Sequence, residues 1–195
     1  MYMKKKIINI VVENLKTLIW ALIIAIFIRS LVIQPFYIPS SSMEPTLLVG
    51  DRIFVSKFTY GYSKHSFPFS PNFSNNRFFS KAPNQGDLVV FKTPSDNRTD
   101  YIKRVIGLPG DEIQFIKGKI FINGKSITRE RLSISEPIRC GNITIDTNTF
   151  LETLPNGVKH LATYNSVGTI QNTLKYKVPE NHFFVMGDNR DCSKD

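Results

Sequence analysis

An apolar segment close to the N-terminus constrains this chain more than any other feature. The run at 15–33 has roughly the 20 residues that a helix needs to cross a bilayer. Lys16 and Arg29 interrupt it close to its two ends, where long basic side chains can reach the membrane interfaces. We therefore predict a transmembrane helix at 15–33.

Three lysines at 4–6 precede this segment and favour an N-terminus on the cytoplasmic side. A cleaved secretory signal has the same charge pattern, but no pair of small residues spaced for cleavage follows the apolar run. A buried helix of a soluble domain would not need the basic leader. The sequence thus predicts a cytoplasmic leader at 1–14 and an uncleaved anchor, with 34–195 forming an extracytoplasmic domain.

The net charge and the cysteine content limit the partners and cofactors that the sequence predicts. The net charge of +9 favours an anionic surface, and we favour the membrane because the basic residues are dispersed and no nucleic-acid-binding motif is present. Cys140 and Cys192 fit no metal-ligand spacing, and we interpret them as free thiols, with a disulfide as the alternative in an oxidising compartment. We expect no metal and no cofactor.

Beyond the anchor, β-branched and aromatic runs alternate with turn signals, which is typical of a mainly β domain. Pro35 and Pro39 favour extended backbone at 34–39. Further strands are predicted at 88–91, 101–106, 112–116, 119–122, 125–128 and 182–186. Tight turns are predicted at Lys117-Gly118 and Asn123-Gly124. Segments 62–85 and 133–175 are predicted as insertions or a subsidiary β region.

Ser40, Ser41 and Ser42 directly follow the extended stretch. Three serines usually mark a flexible linker, but apolar residues flank this run instead of further Gly and Ser. A serine that acts as a nucleophile needs a base. The three histidines of the chain are scattered and stand in no catalytic pattern, so a lysine is the next candidate for the base.

Lys103 is the candidate base. The period-2 alternation of a strand places it on the same face as Tyr101 and Val105. Burial disfavours the charged form of a lysine and leaves an amine that can accept a proton. On the strand alone, a surface lysine beside Arg104 is the alternative interpretation.

A third segment, 187–193, follows the last predicted strand. A glycine and several charged side chains at the end of a buried strand indicate a loop that internal salt bridges and hydrogen bonds hold in place. A plain surface turn is the alternative.

Together these segments resemble the bacterial type I signal peptidases. The resemblance rests on 39–46, 86–91, 101–111 and 187–191, which have the family's order and spacing. It implies an antiparallel β catalytic domain behind one transmembrane helix, in the bacterial cytoplasmic membrane and on its outer, periplasmic face. The implied reaction removes signal peptides from secreted preproteins after Ala-x-Ala-type sites. The implied partners are those signal peptides and the lipid bilayer, and no nucleic acid.

The resemblance also implies residue roles. Ser42 is the nucleophile and Lys103 its general base, a Ser/Lys dyad. Ser40 donates to the oxyanion together with the backbone N–H of Ser42, and Ser193 orients the lysine amine. The residues that resemble the family's substrate pocket are Phe36, Ile38, Pro39, Met43, Leu47, Ile53, Tyr101 and Ile102.

Two departures from the family pattern stand out. Cys192 occupies a position where the family usually has asparagine. The chain also stops at Asp195, where family members continue with an arginine and further strands, so we predict a catalytic domain that is incomplete at its C-terminal end. The alternatives are a catalytically inactive, membrane-tethered β module of the same family and a self-cleaving repressor of related fold. The repressor would need an N-terminal helix-turn-helix, where this chain has its apolar anchor.

Overall fold

The computed structural model describes residues 2–67, 70–71, 76–133, 137–165 and 172–193. Parts of the predicted insertions, at 68–69, 72–75, 134–136 and 166–171, therefore lie outside the described residues. The chain divides into two compact units. Unit 1 comprises Met1–Phe36 and Ile53–Ala82, and unit 2 comprises Tyr37–Arg52 and Pro83–Asp195.

Unit 1 contains the helix α1, Tyr2–Leu31. It starts well before the predicted span because no glycine or proline interrupts residues 2–31. It ends two residues before the predicted boundary, and the extended backbone that Pro35 favours follows at Ile33. Its large apolar side chains are exposed all along its length, and Met3–Leu31 is long and apolar enough to cross a membrane.

A two-stranded sheet follows α1 and is formed by β1, Ile33–Tyr37, and β2, Arg52–Ser56. The Tyr62 hydroxyl donates to the carbonyl of Leu31, 2.9 Å away, at the end of the helix. This hydrogen bond satisfies one of the carbonyls that a helix C-terminus leaves without an intrahelical partner.

Unit 2 is built from antiparallel sheets. In the first, β4 (Asp100–Gly107) lies between β3 (Leu88–Lys92) and β13 (Phe184–Met186). In the second, the order is β12-β5-β6-β7, with β5 at Glu112–Ile116, β6 at Lys119–Ile122, β7 at Lys125–Ser126 and β12 at Tyr176–Lys177. These elements confirm the predicted fold class, mainly antiparallel β behind one N-terminal apolar helix.

The hairpin turns of the second sheet agree with the sequence. Lys117 and Gly118 have φ of 49° and 70°, and Asn123 and Gly124 have φ of 52° and 77°. Two successive residues with positive φ are what two-residue hairpins require, because that geometry matches the twist of the flanking strands. The predicted strand at 125–128 divides at the buried Ile127 into β7 and β8 (Thr128–Arg131). The strand predicted at 182–186 is shorter, Phe184–Met186, and β2 was not predicted.

The third sheet occupies most of the described part of 133–175. Its strands are β8 (Thr128–Arg131), β9 (Pro137–Cys140), β10 (Ile143–Thr153) and β11 (Lys159–Asn165). The long strand β10 pairs with β11, β8 and β9. The described part of this segment is therefore mostly β-structure.

The main apolar core joins the first two sheets. Its buried members are Ile106, Ile113, Phe115, Ile120, Ile122, Ile127, Leu154, Val178 and Met186. Full burial of one such side chain stabilises the fold by about 1.5–3 kcal/mol. Because β4 supplies Ile106 and β13 supplies Met186, this core fixes the strand of Lys103 and the start of the loop at 187–193.

A buried carboxylate organises the third sheet. Glu152 on β10 has no exposed surface, and its Oε2 accepts from Arg190 at 2.7 Å and lies 3.2 Å from His160 Nε2. Tyr164 donates its hydroxyl to Oε1 at 2.5 Å. Burial alone would raise the pKa of Glu152, but the charge of Arg190 and the hydrogen bonds of His160 and Tyr164 outweigh it and lower that pKa to about 2.

We expect Glu152→Gln to destabilise unit 2 by about 3–5 kcal/mol at pH 7, because it removes the negative charge to which the buried Arg190 guanidinium donates. The pKa of Glu152 falls on folding from 4.5 to about 2. Its contribution is therefore fully present above about pH 4.5 and disappears as the pH falls towards 2. Urea unfolding followed by circular dichroism at pH 7 and pH 3 measures both effects.

The matched control is Glu130→Gln, on the exposed face of the neighbouring strand β8. We expect this variant to stay within about 0.5 kcal/mol of the wild type. A Glu152→Gln variant that is no less stable than Glu130→Gln at pH 7 would contradict this account of the buried cluster.

Candidate active site

Ser42 lies on a 3-10 turn at Ser41–Met43 in unit 2. The chain reaches this turn in an extended conformation, with φ of −133° and ψ of 154° at Ser40. Met43 has no exposed surface and anchors the turn in the interior. Ser42 is half-buried, so its hydroxyl stands at the edge of the packed region.

The other two serines differ in orientation. Ser40 is exposed, and its Oγ lies 3.4 Å from Oγ of Ser42, so either hydroxyl can donate to the other. Ser41 is buried, and its carbonyl accepts a hydrogen bond from Nδ2 of Asn189 at 3.1 Å. The turn thus brings the hydroxyls of Ser40 and Ser42 together and packs Ser41 inside.

The loop at 187–193 docks on this turn. Asn189, which has no exposed surface, donates its backbone N–H to the carbonyl of Ser42 at 3.1 Å. On its other side the loop pairs with β11, where Thr163 donates to the carbonyl of Asp188 at 2.9 Å and accepts from the N–H of Arg190 at 3.0 Å. The loop therefore lies between the serine turn and β11, bonded to both.

An ion pair joins the same loop to β4. Nε and Nη2 of Arg104 donate to the two carboxylate oxygens of Asp188 at 2.8 and 2.7 Å. The side chains are 8% and 0% exposed. Nη1 of Arg104 donates to the carbonyl of Gly86 at 2.8 Å, and Thr46 donates its hydroxyl to Asp188 at 2.5 Å. This bidentate geometry supplies both charges with partners, which a buried pair requires.

Lys103 precedes Arg104 on β4 and is only 3% exposed. Its Nζ donates to Oγ of Ser193 and lies 5.6 Å from the ring centroid of Tyr101, the neighbour on its own strand face. The structure therefore excludes the interpretation of Lys103 as a surface lysine. The loop that docks on the serine turn also supplies the hydrogen-bond partner of the amine.

Gly187 marks the place where these groups meet. A Cβ atom built on Gly187 would collide with the Ser193 side chain and with the carbonyl oxygen of Ser42. Ser193, which holds the amine of Lys103, and the serine turn thus both lie against the same glycine. Any larger residue at 187 would push one of them away.

The residues predicted for a substrate pocket fall into three groups. Pro39 is exposed, and Leu47, Tyr101 and Ile102 are half-buried, so all four present surface. Ile38 and Met43, with 3% and 0% exposed, pack in the interior. Phe36 and Ile53 are half-buried residues of unit 1, on β1 and β2.

Cys140 and Cys192 form a disulfide with Cα atoms 5.5 Å apart, so the free-thiol interpretation is wrong. The sequence separation of 52 residues carries no pairing signal. Cys140 is placed by the pairing of β9 with Ile143–Asp146 of β10, and the loop of Cys192 is bonded to β11, so the disulfide depends on long-range strand contacts.

The structure adds residues that the sequence did not single out, above all the Arg104–Asp188 pair and the side chain of Asn189. Alternation along β4 did not identify Arg104 because both faces of this strand are buried beyond Ile102. The available signal was the presence of two successive basic residues, Lys103 and Arg104, within a largely apolar strand. A charged group that is buried needs a partner.

Known proteins give the site a context. A family model described as signal peptidase, peptidase S26, matches residues 11–195. The chain is similar to signal peptidase I of Rickettsia conorii, with 43% identity over 186 residues that cover 88% of this chain and 66% of that protein. It is also similar to signal peptidase I of Rickettsia typhi (44% over 183 residues, 88% and 67%) and of Rickettsia canadensis (43% over 196 residues, 94% and 71%).

The chain spans about two thirds of the length of these relatives. The family match takes in the serine turn, the lysine strand and the loop at 187–193. The chain therefore belongs to the signal peptidase family, peptidase S26.

Proposed function

We propose that this protein removes signal peptides from exported proteins, with Ser42 as the nucleophile and Lys103 as the general base. The observation that carries the proposal is the convergence on Gly187, which packs against both Ser193, a hydrogen-bond partner of the buried Lys103 amine, and the carbonyl oxygen of Ser42. The curated relatives, each named signal peptidase I, support the same reaction.

In the proposed mechanism, the amine of Lys103 takes the proton of the Ser42 hydroxyl as Oγ attacks the carbonyl of the scissile bond. The lysine then gives this proton to the leaving amine. Water attacks the resulting ester of Ser42 and releases the signal peptide. Ser193 acts by orienting the amine of Lys103 through the hydrogen bond between them.

The negative charge that forms on the carbonyl oxygen needs donors. We assign these to the backbone N–H of Ser42 and the hydroxyl of Ser40, which lies 3.4 Å from the nucleophilic oxygen. One donor of this kind contributes about 2.7–4 kcal/mol to the stabilisation of the transition state.

Recognition of the substrate follows from the surface beside the serine turn. We propose that Pro39, Leu47, Tyr101 and Ile102 contact the side chains before the cleaved bond. Ile38 and Met43 form the packed floor. Shallow apolar sites of this kind would accept alanine and exclude larger side chains, and we therefore propose cleavage after Ala-x-Ala.

Cleavage of a precursor with an Ala-x-Ala site tests the dyad. We expect Ser42→Ala and Lys103→Ala each to lower kcat/KM by about 10⁴–10⁶-fold, and the double variant to be hardly worse because the two groups act as a unit. Each variant is to be compared with the wild type at equal amounts of folded protein.

Ser41→Ala is the matched control, since Ser41 neighbours the nucleophile but contacts Asn189 through its backbone carbonyl. This variant should keep most of the activity. Loss of activity in Ser41→Ala together with activity in Ser42→Ala would show that the nucleophile is misassigned. A wild-type chain without activity would favour the membrane-tethered β module.

The proposed topology places the N-terminus of α1 in the cytoplasm and unit 2 outside. We expect an impermeant maleimide to label Arg98→Cys, in the exposed loop between β3 and β4, in right-side-out membrane vesicles. Lys5→Cys, in α1, should be labelled only after lysis. The wild type is the control, because its two cysteines are bonded to each other. The reverse pattern of labelling would contradict this orientation.

A further inference from the structure

The disulfide between Cys140 and Cys192 reaches the residue directly before Ser193. Cys140 is the last residue of β9, and β9 also contacts the serine turn at Ser41–Met43. The Cα separation of 5.5 Å lies within the usual range for disulfides. A single strand thus contacts the turn of the nucleophile and is covalently bonded to the loop that carries Ser193.

This bond acts at the end of the loop. The buried contacts of Asp188, Asn189 and Arg190 hold its first half. Further along, the N–H of Cys192 donates to Oδ1 of Asn189 at 3.3 Å, and the disulfide adds a covalent constraint at the same residue.

Ser193 is closely packed, so a shift of its side chain changes its contacts. It lies against Gly187, where not even a Cβ atom would fit, and it accepts the hydrogen bond of the Lys103 amine. A displacement of Cys192 therefore moves Ser193 relative to that amine.

We propose that the Cys140–Cys192 disulfide is a positioning cross-link that keeps Ser193 against the amine of Lys103. A dithiol reductant opens it by giving two electrons and two protons, which leaves two cysteine thiols and the oxidised, cyclic form of the reductant. Cys192 is then a positioning residue that acts through Ser193. The consequence for peptide cleavage rests on the proposed function, whereas the structural claim does not.

Chemical labelling tests the structural claim without any need for activity. The full chain in detergent micelles is treated with limiting acetic anhydride, and acetylation of Lys103 is compared by mass spectrometry with that of Lys125, an exposed lysine on β7. We expect reduction of the disulfide to raise the ratio of Lys103 to Lys125 labelling by up to about tenfold, the factor that one hydrogen bond supplies. Reoxidation should reverse this change.

The paired variant Cys140→Ser/Cys192→Ser should give the same raised ratio and no response to the reductant. In Ser193→Ala, the ratio should already be raised, and opening the disulfide should add nothing, because the cross-link acts through Ser193. These variants separate positioning by the disulfide from a general loosening of the fold. General loosening would make reduction raise Lys103 labelling in the wild type and in Ser193→Ala alike.

Three results would overturn the proposal. These are free thiols in the untreated protein, equal Lys103 labelling with and without the disulfide, and a full effect of reduction in the Ser193→Ala background.

In active protein, reduction should lower kcat by about 10–100-fold with little change in KM, the cost of misplacing a catalytic group by about 1 Å. Absence of peptide cleavage alongside the expected labelling would count against the proposed function only.

Discussion

The candidate site depends on the buried ion pair between Arg104 and Asp188. Both charges are withdrawn from water and joined by two parallel hydrogen bonds, so neither can move without leaving the other uncompensated. Arg104 lies on β4 beside Lys103, and Asp188 lies on the loop that carries Ser193. The same two elements therefore meet twice, once in an ion pair and once at the amine, and the first contact fixes the geometry of the second.

The remaining contacts of the loop orient it towards the serine turn. Asn189 binds the backbone of Ser41 and Ser42, and Gly187 permits an approach that a side chain would block. Arg190 extends to Glu152 in the third sheet. The segment at 133–175, predicted as an insertion or a subsidiary β region, thus supports the loop on the side opposite to the serine turn.

Features set by local rules were predictable from the sequence. The tight turns at Lys117-Gly118 and Asn123-Gly124 follow from residue types that tolerate positive φ, and most strands follow from short β-branched runs. The alternation around Lys103 predicted a residue on an apolar face, and the structure shows it buried. The loop at 187–193 is held by two ion pairs and by hydrogen bonds, as its charges and its position after a buried strand indicated.

The features that were missed depend on contacts between distant parts of the chain. Neither Cys140 nor Cys192 has a neighbour in the sequence that indicates its partner, and strand pairing along β10 decides the outcome. The cluster around Glu152 likewise forms only when β10, β11 and the loop come together. The early start of α1 was missed for a different reason. The length of the apolar run predicts which residues span a bilayer, but it does not predict where the helix begins.

The most direct test of the Ser42–Lys103 assignment is to trap the covalent intermediate. The protein is mixed with a peptide ester that ends in Ala-x-Ala, quenched in acid and digested, and the acyl group is located by mass spectrometry. We expect the acyl group on Ser42 in the wild type and no acyl group in Lys103→Ala. An acyl group on Ser40 or Ser41, or undiminished acylation of Ser42 without the lysine, would contradict the assignment.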